Sequence, residues 1–212
     1  MSEIFLGNAE AISALGAVDF LLIAAAYFLG NISPSTLLAR SVGKDIKKEG
    51  SGNAGTTNAL RVLGKKAALI TLAVDIGKGV LAVLLGTFFG SPMTAMLCAL
   101  AAFLGHVWPV CFHFKGGKGV AVAFGALLGV NWQLALAALA VVAVVVALTR
   151  MVSLGSVLAA ASFPVLAYFM EPDFLFIGCI MAALLIYAHR GNIKRLLKGE
   201  ENKLSFGKKF EK

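Results

Sequence analysis

The sequence predicts an all-α membrane protein, a polytopic bundle of seven transmembrane helices in one domain over residues 1–212. Apolar residues fill 59% of the chain and charged residues only 14%, whereas a soluble domain carries roughly 25% charged residues. The apolar residues gather in stretches of the length that crosses a bilayer, about 20 residues. The 19 Lys and Arg residues fall almost entirely on one side of these stretches, which predicts an external N-terminus and a cytoplasmic C-terminus.

Seven apolar stretches are the predicted spans. They comprise residues 20–39, 67–89, 94–114, 119–130, 134–149, 154–169 and 174–188. The fourth and fifth come from one long apolar region that Asn131, Trp132 and Gln133 interrupt, and a Trp between polar amides is typical of a membrane interface. A single span there would leave Arg150 outside and carry the basic C-terminus across the membrane, so two spans are predicted.

The one basic residue outside the predicted cytoplasmic loops and helix ends is Lys78, in the second span. Asp75 precedes it by three positions, so the two side chains share one helix face. Ionisable residues at membrane depth are rare, and they are either paired or functional. The sequence leaves open whether Asp75 and Lys78 form a structural ion pair or belong to a site.

The first span contains a predicted break within Gly30-Asn31-Ile32-Ser33-Pro34-Ser35. Proline removes a helix hydrogen bond, and at membrane depth such a break persists only where protein or water satisfies the backbone. Two interpretations stay open, a kink with a satisfied serine and a functional break.

Two glycine-rich cytoplasmic loops predict anion binding. Residues 45–58 combine three glycines with Asn and Thr ahead of a short amphipathic stretch at 59–63, and residues 115–119 combine two lysines with three glycines at the start of the fourth span. Backbone amides at a helix N-terminus and lysine ammonium groups attract anions. The alternatives are a flexible linker for the first loop and an ordinary basic turn for the second.

The segment after the last span carries His189 and Asn192, which share a helix face. We interpret this pair as functional, and we expect Lys194, Arg195 and Lys198 to face anionic lipid. The alternative is that the whole segment is a basic amphipathic tail.

The remaining histidines and the cysteines are predicted to be structural. His106 and His113 are interpreted as packed or interfacial residues. Cys98, Cys111 and Cys179 lie far apart in apolar sequence, and buried free cysteine behaves as a small hydrophobe. No metal site, disulfide or cysteine nucleophile is predicted.

Two glycine loops and an imidazole–amide face on one membrane edge suit an enzyme that joins a soluble phosphate compound to a lipid-bearing one. A transporter of a phosphorylated metabolite is the main alternative, although it predicts two symmetric halves and the sequence shows no repeat. A lipid-binding structural protein would explain the basic tail but not the loops.

Three motifs resemble those of the bacterial glycerol-3-phosphate acyltransferases that use acyl phosphate. They are Ser51-Gly52-Asn53-x-Gly55-x-x-Asn58, Gly105-His106-x-x-Pro109 with Lys115-Gly116-Gly117-Lys118-Gly119, and His189-Arg190-x-Asn192-Ile193-x-Arg195-Leu196. The resemblance runs from about residue 30 to residue 203. It implies a seven-span bundle in the bacterial inner membrane, with the active site facing the cytoplasm, that acylates the 1-position of glycerol 3-phosphate and releases lysophosphatidic acid and phosphate.

The resemblance also implies roles for particular residues. Ser35, His189 and Asn192 would contact glycerol 3-phosphate and position its hydroxyl. One loop would hold one phosphate and the other loop a second, without an indication of which holds which. The full set of implied substrate-binding residues is Lys47, Ser51, Gly52, Asn53, Gly55, Thr57, Asn58, Lys115, Gly116, Gly117, Lys118, Gly119 and Lys203. Lys47 departs from the arginine of many members, and lysine lacks the bidentate fork of arginine.

The expected partners are glycerol 3-phosphate, acyl phosphate and membrane lipid, with no nucleic acid and no cofactor. A monomer is compatible with the sequence, which leaves the oligomeric state open. Because acyl phosphate is already activated, positioning and charge stabilisation would be enough for catalysis. The proton acceptor for the hydroxyl is either His189 or a substrate phosphate, and the residues do not decide between them.

Overall fold

The computed structural model describes residues 2–204 of the chain, and within that range it is helical with no strand. The α-helices are α1 (Ser2–Ser13), α2 (Ala17–Asn31), α3 (Pro34–Ser41), α4 (Thr56–Leu63), α5 (Lys65–Phe89), α6 (Pro92–Val107), α7 (Val120–Val130), α8 (Trp132–Thr149), α9 (Val152–Met170), α10 (Leu175–Ala188) and α11 (Arg190–Leu197). Two short 3₁₀ turns, Val110–Phe112 and Pro172–Phe174, precede the second glycine loop and α10.

The predicted membrane class is confirmed, while the number of spans and their orientation stay predictions. Five helical segments among the described residues are long and apolar enough to cross a bilayer, and α10 with α11 makes a sixth if that pair, bent by 57°, is one span. The seventh stretch is the apolar helix α7, whose 11 residues are shorter than an ordinary span.

Asn131 separates α7 from α8, where the sequence predicts the division of the long apolar region. Its Oδ1 accepts a hydrogen bond from the Leu134 amide at 3.0 Å, which caps the start of α8. Its Nδ2 donates to the carbonyl of Met170 at 3.1 Å and to Glu171 at 2.9 Å. One amide side chain therefore begins α8 and fastens it to the end of α9.

The predicted break in the first span lies between α2 and α3, with Pro34 as the first residue of α3. The carbonyls of Gly30 and Ile32 at the end of α2 accept hydrogen bonds from Lys78 Nζ, at 3.0 and 2.6 Å. A lysine of α5 thus satisfies the backbone that the proline leaves open.

Close helix packing builds the bundle. Helix α5 lies against both α6 and α7, and α2 lies along α6. A Cβ atom at Gly125 would lie 2.1 Å from the carbonyl oxygen of Ile76, and one at Gly86 would lie 2.4 Å from the Cα atom of Ala95. Only glycine allows the backbones to approach this closely, as small residues do in membrane helix pairs.

Sequence reasoning missed α1 and placed the start of α4 three residues late, at 59 instead of Thr56. It was also wrong for Cys111, which is exposed, whereas Cys98 is buried and Cys179 is half-buried as packing residues. Cys111 lies in the 3₁₀ turn after α6. The apolar residues on both sides of it do not reveal that this turn lies at the surface.

Candidate active site

A cavity of about 320 Å³ lies between the first glycine loop, α5, the start of α7, α9, α11 and the C-terminal segment. Nine predicted site residues line it. They are Ser51, Asn53, Gly55, Thr57, Asn58, Lys118, Gly119, His189 and Asn192. Residues from three motifs far apart in sequence therefore meet in one cavity.

The other predicted site residues lie around the cavity without lining it. They are Ser35, Lys47, Gly52, Lys115, Gly116, Gly117 and Lys203. Lys115 and Lys203 are exposed. Ser35 is fully buried at the start of α3, and its Oγ has no hydrogen-bond partner among the described residues.

The first glycine loop is held by Asn58. Its Oδ1 accepts from the Ser51 amide at 2.8 Å, and its Nδ2 donates to the carbonyls of Ile46 and Glu49 at 3.1 and 3.0 Å. These three bonds occupy the buried amide of Asn58, so the side chain organises the loop. Gly52 adopts a φ of +69° within it, in the left-handed region that glycine enters without strain.

The second glycine loop is fastened to the end of α6. The amide of Gly116 donates to the carbonyl of Val107 at 3.1 Å, and the amide of Gly117 donates to that of His106 at 3.0 Å. The expectation that the amides of this loop converge on an anion is therefore wrong for these two residues. Within this loop, Lys118 and Gly119 line the cavity.

Lys47 joins the two loops. Its Nζ donates to the carbonyl of Lys115, and to that of Gly116 at 3.2 Å. Burial lowers the pKa of Lys47, and the charge of Lys115 acts in the same direction against that of Asp45. Carbonyl oxygens accept from a single ammonium group here, which explains why the fork of an arginine is not required for this contact.

A hydrogen-bond network links residues of the cavity wall. Lys118 Nζ donates to Asn192 Oδ1, and Asn192 Nδ2 donates to Glu201 Oε1 at 2.8 Å. Ser153 donates to the same oxygen at 2.9 Å, and Arg195 Nε donates to Glu201 Oε2 at 2.9 Å. The network fixes Asn192 from both sides, and it joins the second glycine loop, α9, α11 and the C-terminal segment.

The expectation that Arg195 faces lipid is wrong, because Arg195 pairs with Glu201 and lines the cavity. Hydrogen bonds from Asn192 and Ser153 and the charge of Arg195 outweigh burial and lower the pKa of Glu201. Burial lowers the pKa of Lys118 to about 8, and the charges of Arg195 and Arg61 act in the same direction against that of Glu201. The cavity wall thus contains three cationic side chains, Lys118, Arg61 and Arg195, and two carboxylates, Glu201 and Asp75.

His189 lies in the turn between α10 and α11 and is buried. Its Nδ1 lies 2.9 Å from the carbonyl oxygen of Leu185. A carbonyl can only accept, so Nδ1 carries a proton and the neutral ring has its acceptor lone pair on Nε2. Burial lowers the pKa of His189 to about 4, which keeps the imidazole neutral at physiological pH.

Sequence reasoning missed several residues of the cavity wall. They are Thr56, Arg61, Asp75, His106, Ser153, Ser156, Glu201 and Asn202. No pattern in the sequence links Ser153 with Glu201, because 48 residues separate them. Asp75 and His106 could have been found from the sequence, because ionisable residues at membrane depth are rare and usually functional or paired.

The ion pair between Asp75 and Lys78, which the sequence left as one of two interpretations, is present, and His106 lies beside it. Lys78 Nζ lies 2.8 Å from Asp75 Oδ1 and 2.9 Å from His106 Nδ1. Each of the three side chains is at most 6% exposed. His106 is therefore packed, as expected, but within a polar cluster rather than an apolar one.

A second cavity of about 130 Å³ lies between α7, α8, α9 and α10, and its wall is apolar apart from Ser156. It shares Val120, Phe124, Leu139 and Ser156 with the wall of the polar cavity. The T-shaped pair Phe163 and Phe174 contributes to its lining. The polar and apolar spaces are therefore neighbours within one bundle.

The fold and the two cavities define an integral membrane protein with a cationic, hydrogen-bonding site beside an apolar one. The family described as glycerol-3-phosphate acyltransferase matches residues 20–199. The chain belongs to that family.

Relatives and solved structures agree with this assignment. A glycerol-3-phosphate acyltransferase of Thermoanaerobacter pseudethanolicus is 46% identical over 189 residues, which cover 88% of this chain and 94% of that protein. One of Clostridioides difficile is 43% identical over 195 residues, covering 88% and 96%. The crystal structure of PlsY (YgiH), an integral membrane glycerol 3-phosphate acyltransferase, in its glycerol 3-phosphate form, matches with a TM-score of 0.83 at 37% identity, covering 88% of this chain and 96% of PlsY. Its lysophosphatidic acid form matches with a TM-score of 0.80.

Proposed function

We propose that this chain transfers a fatty acyl group from acyl phosphate to the 1-position of glycerol 3-phosphate, at the cytoplasmic face of a bacterial inner membrane. Family membership makes the chain an acyltransferase with glycerol 3-phosphate as acceptor and lysophosphatidic acid as product. The donor, the position acylated and the side of the membrane are the parts that we propose. A transporter of phosphorylated metabolites, the alternative from sequence, is not supported by this family.

The proposal that acyl phosphate is the acyl donor rests on the wall that the two cavities share. Acyl phosphate has a dianionic head and an apolar tail, so it requires cationic and apolar spaces in contact. Lys118, Arg61 and Arg195 belong to the polar cavity, and Val120 and Phe124 belong to both. We infer that the tail lies between α7 and α10 and that the head lies beside Lys118.

The reaction needs no covalent enzyme intermediate. The 1-hydroxyl oxygen attacks the carbonyl carbon of acyl phosphate, a new carbon–oxygen bond forms, and the bond from that carbon to the phosphate oxygen breaks. Phosphate leaves with the bonding electrons, and the hydroxyl proton passes to it or to His189 Nε2. The lysine and arginine side chains stabilise charge that is already present on the phosphates and grows on the carbonyl oxygen.

Asn192 and His189 position the acceptor in this account. Asn192 is fixed by Lys118 and Glu201, and His189 presents an acceptor atom whose tautomer is set by Leu185. Holding the hydroxyl near the carbonyl is itself a large contribution, because well-oriented reactants gain up to about 7–11 kcal/mol.

Seven spans with a cytoplasmic site complete the proposal. Helix α7 is long enough for only about 17 Å at a rise of 1.5 Å per residue, so its neighbours α5 and α8 shield it. The basic residues of both loops and of α11 lie on the same edge as the cavity, which supports a cytoplasmic orientation.

The test is an assay of detergent-purified protein with acyl phosphate and glycerol 3-phosphate. We expect phosphate release that requires both substrates, and no formation of lysophosphatidic acid when an acyl thioester replaces acyl phosphate. Ala160→Phe, which fills the apolar cavity, should lower kcat/KM more for long acyl chains than for short ones. Turnover with the thioester alone would refute the proposed donor, and an equal loss at every chain length would refute the placement of the tail.

A further inference from the structure

The cluster of Asp75, Lys78 and His106 has a donor that the mechanism above does not use. All three side chains are buried, at 1%, 2% and 6% exposure. Asp75 and His106 nevertheless line the polar cavity. Buried ionisable groups that reach a site at membrane depth are by default functional.

Lys78 fixes the tautomer of His106. Its ammonium group has three N–H donors and no acceptor. Three acceptors meet hydrogen-bond geometry with Nζ, the carbonyl of Gly30 at 3.0 Å, that of Ile32 at 2.6 Å and His106 Nδ1 at 2.9 Å, whereas Asp75 Oδ1 has a short distance to Nζ without that geometry. The three donors are thereby used, and Nδ1 must carry a lone pair to accept one of them. The proton of neutral His106 is therefore on Nε2.

Asp75 balances the charge of this arrangement without taking one of those hydrogen bonds. Its Oδ1 lies 2.8 Å from Lys78 Nζ, as an ion pair, and 3.5 Å from His106 Nδ1. The second distance is too long for a good hydrogen bond. Aspartate and lysine together are neutral, so the cluster has no need of a charged imidazole.

His106 Nε2 lies between the two glycine loops. A Cβ atom at Gly117 would be 2.2 Å from Nε2 and 3.0 Å from the carbonyl oxygen of Ala54. Among the described residues Nε2 has no hydrogen-bond partner, while His106 lines the cavity that also holds Lys118. An N–H that is held in place at such a site and has no protein acceptor is available to an acceptor atom of a ligand.

We propose that His106 is a substrate-contacting residue whose Nε2–H donates to a phosphoryl oxygen, in the tautomer that Lys78 and Asp75 impose. The identity of the phosphate compounds rests on the proposed function. Lys78 also binds the carbonyls at the α2–α3 break, so one ammonium group ties this donor to the helix that carries Ser35. The phosphoryl oxygen belongs to glycerol 3-phosphate or to acyl phosphate, which present the same chemistry to the imidazole.

Two substitutions of His106 separate a substrate donor from a structural residue. In His106→Asn the amide oxygen reaches the place of Nδ1, so the bond from Lys78 is kept and the donor in the cavity is lost. In His106→Gln the amide nitrogen reaches the place of Nε2, so the donor is kept. A substrate-contacting role predicts that Gln preserves function better than Asn, and a role confined to packing with Lys78 predicts the reverse order.

Binding to detergent-purified protein is measured by calorimetry with glycerol 3-phosphate and with inorganic phosphate, and the KM for acyl phosphate is measured separately. A lost hydrogen bond to a charged group corresponds to about 10- to 100-fold weaker binding. We expect this loss in His106→Asn for at least one of the two substrates, and a smaller loss in His106→Gln. If the binding of glycerol 3-phosphate changes, His106 contacts the phosphate of that substrate. If the KM for acyl phosphate changes, His106 contacts the phosphate of acyl phosphate. Unchanged binding and KM in His106→Asn, or the reverse order of the variants, would overturn the proposal.

Nitrogen NMR of ¹⁵N-histidine-labelled protein supplies a readout independent of turnover. The chain has three histidines, and the His106→Asn variant identifies the signals of His106. We expect the Nε2–H tautomer and a shift of its Nε2 signal on addition of glycerol 3-phosphate or inorganic phosphate. An Nδ1–H tautomer, or a signal that neither ligand moves, would refute the proposal. Phosphate binding without acyl transfer would refute only the proposed function.

Discussion

Lys118 combines a position in the cavity wall with a pKa in the measurable range. Burial lowers this pKa to about 8, so the ammonium form predominates below pH 8 and is lost as the pH rises through that value. The charged form binds Asn192 and attracts phosphate. We therefore expect kcat/KM to fall above about pH 8, by up to tenfold per pH unit, since this parameter reports the pKa of groups in the free enzyme.

Lys118→Arg is the matched variant for that alkaline limb. Arginine keeps its charge throughout the accessible range, with a pKa above about 12. The limb near pH 8 should disappear in the variant, even if kcat is lower because the fork of arginine fits less well. A limb of unchanged position in Lys118→Arg would show that another group controls it.

His189 is better suited to hold the acceptor than to deprotonate it. Its pKa of about 4 makes it a weak base, whereas a general base works best with a pKa near the operating pH. A substrate phosphate, with a second pKa of about 6, is the stronger base. We expect His189→Gln to lower kcat less than about 100-fold and to keep any acidic limb above pH 5.

The control for His189 is His113→Gln, because His113 is exposed and lies outside the cavity wall. It should leave the pH–rate profile unchanged. Loss of the acidic limb in His189→Gln but not in the control would identify His189 as the base instead.

The sequence predicted the residues that carry short motifs and missed those whose role depends on tertiary contacts. Nine predicted residues line the cavity, because glycine loops and an i, i+3 pair are local patterns. Glu201 lies at the cavity only because the chain after α11 turns back to Ser153 and Asn192. No spacing in the sequence indicates that return.

At the scale of the elements, Gly119 fixes where α7 begins. It precedes the helix with a φ of +81°, and a Cβ atom there would lie 2.2 Å from Phe103 Cε2. Phe103 is fully buried and has no room to move. Gly43, which follows α3, has a φ of +70° and no atom within 4 Å of such a Cβ, so a side chain there would meet backbone strain without the clash.

Gly119→Ala should therefore be more harmful than Gly43→Ala. The left-handed conformation costs about 1–2 kcal/mol for alanine, and overpacking a core adds about 1–3 kcal/mol. We expect a small fall in Tm for Gly43→Ala with activity retained, and a larger fall with loss of activity for Gly119→Ala. Equal effects in thermal unfolding of the two purified variants would contradict a role for the contact with Phe103.

Helix boundaries were predictable where a residue has a strong local preference. Asn131 and Pro34 mark their breaks because one caps a helix and the other cannot continue one. The start of α4 was not predictable, because Thr56 begins that helix after Gly55 without a side-chain cap. The angle between α10 and α11 also depends on tertiary contacts, with Arg195 and Asn192 bound to Glu201.

For the whole molecule, the proposed orientation is tested by cysteine labelling in a variant with Cys98, Cys111 and Cys179 replaced by alanine. That background is needed because Cys111 is exposed. A cysteine at Gly7 should react with an impermeant reagent on intact cells, and one at Glu200 only after permeabilisation. Both positions are exposed. The opposite pattern would invert the bundle, and labelling of both from outside would require an even number of spans.

The all-α membrane class followed from composition and charge alone, because a bilayer restricts the backbone to few solutions. The neighbouring polar and apolar cavities did not follow, since they depend on how α7, α8, α9 and α10 pack. The asymmetry of Lys and Arg predicted one basic edge of the bundle, and both loops, α4 and α11 contribute residues to the wall of the polar cavity.

The central claim is direct transfer between two substrates bound in one bundle, and a rapid-quench experiment tests it most directly. Purified protein is mixed with acyl phosphate and glycerol 3-phosphate, and lysophosphatidic acid, phosphate and the intact protein mass are followed through the first turnovers. We predict that lysophosphatidic acid and phosphate appear together in a one-to-one ratio while the protein mass stays constant, in the parent and in the cysteine-free variant alike. A burst of phosphate ahead of lysophosphatidic acid, with protein heavier by one acyl group, would contradict direct transfer.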